Sequence, residues 1–214
     1  MKSKIYFLVL FILAPLILNA RVIDRFGAKI AISASKVTAA DFENFFNRRI
    51  GFNLGVFGEK NITNYIAFVS SVEYNQKGYI SEMIATSEDG KEIQKVDSNT
   101  RLDYLSVPVL AKFKYSKICI EPFVAIGPRF EYMLNYKKGE FKFMKITVKD
   151  NMADNFNRFS YGGSIAGGIN IPISNKFKLN LEFRYNYDFS DLASKPNTIE
   201  FKNDSFDLWL QFSF

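Results

Sequence analysis

Histidine does not occur anywhere in the 214 residues. Its absence removes Ser-His-Asp and Cys-His catalysis and takes away the commonest zinc ligand. Cysteine occurs once, as Cys119, so an internal disulfide is excluded and stability has to come from the packed structure itself. After residue 20 there is no second hydrophobic helix and no segment with a sustained 3.6-residue period. Carboxylate pairs such as Glu140 with Asp150 are acid–base chemistry in principle. Without a histidine or a recognisable nucleophile arrangement, however, the sequence reads as a non-enzyme, and no cofactor or metal is implied.

What is present begins with "MKSKIYFLVLFILAPLILNA". Lys2 and Lys4 precede an uncharged run from Ile5 to Leu18, and small Ala20 stands ahead of Arg21. This order predicts a secretory signal peptide over residues 1–20, cleaved after Ala20. The alternative, an uncleaved transmembrane helix, is disfavoured by Pro15 within the run. Cys119 lies too far downstream to carry a lipid anchor. The formal charge of +6 includes Lys2 and Lys4, so residues 21–214 carry +4. That excess is modest, and for an exported chain it argues against a nucleic-acid partner. The remaining length is enough for one domain.

Alternating runs recur through that domain. They are "RFGAKIAISA", "RIGFNLGVFG", "YIAFVSSVEYNQKGY", "LDYLSVPVLAKFKY", "ICIEPFVAIGPRFEYMLNY", "FSYGGSIAGGINI", "FKLNLEFRYNY" and, at the end, "FDLWLQFSF". In the seventh, Phe177, Leu179, Leu181, Phe183, Tyr185 and Tyr187 oppose Lys178, Asn180, Glu182, Arg184 and Asn186. Adjacent Tyr104 and Leu105 suggest a bulge that switches faces in the fourth run. Several runs reach the ~9–11 residues a tilted strand needs to cross a bilayer, against ~5–6 for a globular strand. The connections alternate as well. "EKNIT", "SK" and "PISNK" are short, whereas the intervening ones, such as "ISEMIATSEDGKEIQKVDSN" and "KKGEFKFMKITVKDNMADN", are long. Eight strands with alternating short and long connections predict an all-β fold. It is an eight-stranded antiparallel up-and-down transmembrane β-barrel, with short periplasmic turns and long extracellular loops.

Cost decides which face meets lipid. A lysine or arginine on the lipid face near the midplane costs about 2–4 kcal/mol, so the charged face must point inward. That face collects Lys29, Arg49, Arg129, Lys178 and Arg184 against Glu73, Glu121, Glu131, Glu182 and Asp207. An eight-stranded barrel is just wide enough for its own side chains. The balanced charges are therefore expected to form an internal network of ion pairs, with Lys29, Arg49, Glu73, Arg129, Glu131, Glu182, Arg184 and Asp207 at its centre. Ten ionised groups also argue against an inward apolar calyx of the lipocalin kind. A narrow water-filled channel is the alternative. On the apolar face Tyr74, Tyr115, Tyr132, Tyr136, Tyr185 and Tyr187 fall toward strand ends, where aromatic girdles sit. In the long fifth connection Lys137, Lys138, Lys142, Lys145 and Lys149 form a basic loop suited to lipopolysaccharide or an acidic partner. Phe212 and Phe214 continue the apolar face to the last residue, consistent with a closing strand.

Certain runs resemble a known family. "EYNQKGY", the Tyr-Leu-x-x-Pro run at Tyr104 to Pro108, "PFVAIGPRFEYML" with Gly127-Pro128, and "LEFRYNYDFSDL" are similar to the PorT-like outer-membrane β-barrel family of Bacteroidetes-type bacteria. The resemblance spans the chain after residue 20. It implies an exported eight-stranded barrel in the cell outer membrane. For similar proteins it implies recognition of the terminal aromatic by barrel insertion machinery. It implies no single activity, since the name-giving member is associated with protein secretion. The functional expectation is a filled barrel acting through its external loops as a structural or interaction protein. Its partners would be outer-membrane lipid, lipopolysaccharide and an unidentified protein. A porin-like channel or a component of a secretion or assembly system is the alternative.

Overall fold

The computed structural model describes residues 23–39, 46–86, 92–115, 120–137, 139–143, 146–149, 156–174, 176–192 and 201–214. The expected signal peptide, Cys119, Lys138, Lys145 and Asp150 lie outside the described residues.

The described residues form ten strands: β1 (Arg25–Ala39), β2 (Phe46–Asn61), β3 (Ile66–Thr86), β4 (Glu92–Lys114), β5 (Glu121–Lys137), β6 (Glu140–Phe143), β7 (Ile146–Lys149), β8 (Phe159–Pro172), β9 (Lys178–Asp188) and β10 (Phe201–Ser213). Eight of them close an antiparallel barrel in the order β1-β10-β9-β8-β5-β4-β3-β2, while β6 and β7 form a separate hairpin between β5 and β8. Closure leaves no unpaired barrel edge, as a bilayer demands. Each strand alternates because one face meets the packed interior and the other the surroundings. On β1, Lys29, Ala31, Ser33 and Ser35 are buried, whereas Phe26, Ile30 and Ile32 point outward, Ile32 being 64% exposed. The outer band of isoleucine, leucine, valine and phenylalanine continues around β2, β5, β8, β9 and β10. An apolar belt of that extent belongs in lipid rather than water.

One measurement tests that orientation. Ile32→Arg, at the middle of β1, is expected to lower stability by about 2–4 kcal/mol. The readout is the urea midpoint of the protein refolded in lipid vesicles, and an unchanged midpoint would mean that this face does not meet hydrocarbon.

Aromatics crowd both margins of the belt. Toward the short turns Phe214 packs against Phe26 and Phe177 at ring-centroid distances of 5.8 and 5.1 Å. Toward the long connections Tyr185 lies 4.8 Å from Phe206 and Tyr187 5.9 Å from Phe189. Also at that margin Arg48 reaches Asp204 at 2.7 Å, with its guanidinium 4.7 Å from the Phe206 ring centroid, which marks the end of the apolar band.

Three local expectations need correction. The irregularity near Tyr104 sits on the partner strand. Asp103 pairs with Asn135 but Tyr104 pairs with Met133, so Leu134 is the extra residue, and β4 keeps one parity from Ser98 through Ser106. As a consequence Tyr136 leaves the outer face and packs against a buried apolar cluster with Leu102, instead of joining the girdle. Finally, most of the connection after the third alternating run is strand: β3 and β4 extend to 21 and 23 residues and pair out to Thr86 and Glu92. Serine, threonine and polar residues with weak alternation conceal a hairpin whose ladder needs no apolar face.

Candidate functional site

The barrel interior is built in layers, and each layer follows from the inward parity of its strands. Midway, Glu73 on β3 accepts hydrogen bonds from Lys29 Nζ at 2.5 Å and from Arg184 at 2.8 Å. Arg184 also bridges to Glu182 at 2.5 Å, and Gln211 donates to Glu182 at 2.9 Å. Trp209, wholly buried, lies between the two cations, with Lys29 Nζ 4.6 Å and the Arg184 guanidinium 5.3 Å from its ring. Such contacts let a ring face share in neutralising a desolvated cation.

Nearer the long connections a second set forms. Lys77 Nζ lies 2.5 Å from Glu131 and 3.7 Å from Asp188, while Arg129 pairs with Asp188 and lies 3.4 Å from Glu131. Asp207, buried nearby, accepts a hydrogen bond from Asn186 at 2.6 Å. Near the short turns a third set joins Lys112 to Glu59 at 2.9 Å, with Phe123 covering the ammonium at 4.2 Å. Buried charges are tolerable when paired and hydrogen-bonded. The acids and bases of these layers pair with one another, while Arg129 Nε and Nη1, Glu131 Oε1 and Asp207 Oδ1 have no hydrogen-bond partner among the described residues.

The interior is more than a charge network. Above the second set, Val37, Phe46, Tyr79, Leu102, Tyr104, Met133 and Leu192 form an apolar cap across the lumen, with Tyr136, Phe156 and Phe201 against it. Leu192 comes from the connection after β9, held inward because its N–H donates to Phe201 O at 2.7 Å and its C=O accepts from Asn157 N at 2.7 Å. A smaller apolar layer of Leu110, Phe123, Ala125 and Ala166 lies toward the short turns. One apolar layer thus caps the ionic sets toward the long connections, and the smaller one lies among them, beside the Lys112–Glu59 pair.

Of the interior residues expected from sequence, Lys29, Glu73, Arg129, Glu131, Glu182, Arg184 and Asp207 lie buried together. Arg49 shares their parity but stands toward the long connections, half-buried, donating to Asn99 at 2.9 Å. Lys178 and Glu121 pair with each other at 2.6 Å at the short-turn rim, apart from the buried sets. Lys77, Asp188, Glu59 and Lys112 are further interior ions that the sequence reading did not assign. Their signal was available, since each lies two residues from an inward residue: Asn75, Asn186, Phe57 and Leu110.

The basic loop divides. Lys137 is exposed at the end of β5, and Lys142 and Lys149 belong to the β6–β7 hairpin. Phe212 and Phe214 point outward on the closing strand, and Phe214 N donates to Phe26 O at 2.8 Å.

The family model for the outer membrane protein beta-barrel domain matches residues 24–194. Among solved structures, Neisserial surface protein A is 14% identical, with a TM-score of 0.46 over 88% of this chain and 95% of that one. OprG from Pseudomonas aeruginosa is 8% identical, with a TM-score of 0.45 over 89% and 94%. The outer membrane enzyme PagL is 12% identical, with a TM-score of 0.43 over 85% and 97%. No curated protein matches the sequence.

Proposed function

The chain belongs to the outer membrane protein beta-barrel domain family, and from that premise we propose that it is a closed, non-conducting barrel that acts by displaying its external loops. The observation that carries this reading is the occluded lumen: three ionic layers and two apolar ones leave the strands' inward faces in contact with each other. Recognition then falls to the loops, which a rigid scaffold commonly carries. Lys137 and the β6–β7 hairpin with Lys142 and Lys149 suit lipopolysaccharide phosphates or an acidic protein surface. Phe212 and Phe214 serve recognition by the insertion machinery, and residues 1–20 serve export. Catalysis has no part in this reading, because Glu73, Glu131 and Glu182 are buried against cations and unavailable to a substrate.

The test is single-channel conductance of the refolded protein in a planar bilayer. The expected record is silent, with folding verified on the same sample by its heat-dependent shift on a gel. Discrete, steady steps would overturn the occluded-barrel reading and restore the narrow channel. A finer PorT-like membership, supported by the Tyr104 to Pro108 run and Gly127-Pro128, would make the external partner part of a secretion or assembly system.

A further inference from the structure

At the short-turn end the barrel opens into a vestibule of about 300 Å³, lined by Arg25, Asn61, Thr63, Asn64, Tyr65, Lys114, Glu121 and Lys178. Inward of it along the barrel lie the buried Lys112–Glu59 pair and the Phe123 ring. Short turns lie on the periplasmic side in barrels of this kind, so the vestibule faces the periplasm.

Its charge is one-sided. Three cations and one carboxylate line it. Lys178 is neutralised by Glu121 at 2.6 Å, and Lys114 by Glu59 at 3.3 Å together with the Asn61 side-chain oxygen. Arg25 makes no hydrogen bond or close salt bridge among the described residues and has Glu121, already bound to Lys178, within electrostatic reach. It is nevertheless firmly placed, because Asp24 beside it accepts from Asn61 N at 2.7 Å and Lys60 Nζ at 3.0 Å, locking the start of β1 to the end of β2. The Asn61 amide, helped by Lys60, holds the Asp24 carboxyl below the usual carboxylate range, so this lock loosens only as the pH falls into that lowered range. Across the mouth Thr63 Oγ1 accepts from Tyr65 N at 3.1 Å and Ile66 N at 3.0 Å. Its hydroxyl hydrogen is left to donate into the pocket.

We propose that this vestibule is a periplasmic oxyanion site, in which the Arg25 guanidinium takes two oxygens of a carboxylate or phosphate and Thr63 donates to a third contact. Guanidinium geometry matches both anions in a bidentate manner, and a concave wall of net positive charge raises their local concentration. The anion comes either as free phosphate or as the terminal carboxylate of a periplasmic peptide, and the two are separable.

The experiment is an NMR titration of the isotope-labelled, micelle-folded protein. The probes are inorganic phosphate, a short peptide with a free C-terminus, and the same peptide amidated. Saturable shifts at the Arg25 Nε–H and the Thr63 and Asn64 amides are expected. Arg25→Gln should weaken binding about tenfold or more, the loss of one charge-assisted pair. Lys36→Gln, outside the vestibule toward the opposite rim, should leave it unchanged. Saturation by phosphate alone assigns a free ion, and saturation by the acid but not the amide assigns a peptide carboxylate. Shifts that stay linear, that the amide reproduces, or that survive in a folded Arg25→Gln protein would overturn the proposal.

Discussion

Glu73→Gln will cost about 3–5 kcal/mol of stability, the usual loss when one partner of a buried ion pair is removed. The reason is arithmetic of charge in a closed space. Glu73 stands between Lys29 and Arg184, both with side chains 1% exposed, and Glu182 alone cannot neutralise two cations. Lys29 would be left desolvated with Ser71 at 2.9 Å and the Trp209 and Phe57 rings as neighbours, and with no carboxylate of its own. Removing Lys29 and Glu73 together, as Lys29→Met with Glu73→Leu, should recover most of the loss, since Arg184 keeps Glu182 and no charge is orphaned. The chain has one tryptophan, and it lies beside this cluster, so urea unfolding in vesicles followed by Trp209 emission reads the effect directly. A single variant as stable as the parent would mean that water, not protein, solvates the cluster.

Trp209→Ala should be comparably damaging, about 3–5 kcal/mol, from the cavity left by a large buried side chain. Here a second term adds to the first, because the same ring faces Lys29 and Arg184, and its loss removes two cation–π contacts. Trp209→Phe separates the terms. The indole N–H has no acceptor among the described residues, so replacing it sacrifices no hydrogen bond, and the smaller ring should cost under about 1.5 kcal/mol. Because both variants lose the fluorophore, the temperature of the gel-mobility shift is the measure. Equal losses for alanine and phenylalanine would show that the indole itself, rather than an aromatic face, is required.

Much of this fold was legible because lipid enforces a period of 2 on every strand, and a period of 2 is easy to read in residues such as Leu179 to Tyr187. The same rule placed Lys29, Glu73, Arg129, Glu131, Glu182, Arg184 and Asp207 inside. It stopped short where the apolar half of the pattern ended. Lys77 and Asp188 keep inward parity beyond the last outward aromatic of their runs, past the point where alternation defines a strand. The apolar cap was hidden for a different reason. Tyr79, Leu102, Tyr104 and Met133 are apolar on the face that elsewhere is polar, so sequence alone made them look like breaks in register. Only Leu134, the single extra residue on β5, shows that register is kept on β4 and shifted on its neighbour. The vestibule was illegible because Arg25, Lys114 and Lys178 come from three separate strand ends and Thr63 from the β2–β3 turn, joined by closure alone.

The closing pair β1–β10 differs from its seven counterparts in one respect. Around the rest of the barrel, each strand is covalently continuous with its neighbour through a turn or loop, but Gly27 meets Ser213 across 186 residues of chain. Mechanically the molecule is a hoop with one unriveted joint. That joint is held by a full antiparallel ladder and, at one end, by the tilted contact of Phe26 with Phe214, which Phe177 backs edge-on from the β9 side. Any sideways opening under load begins there, and the aromatic clasp is the latch that resists it.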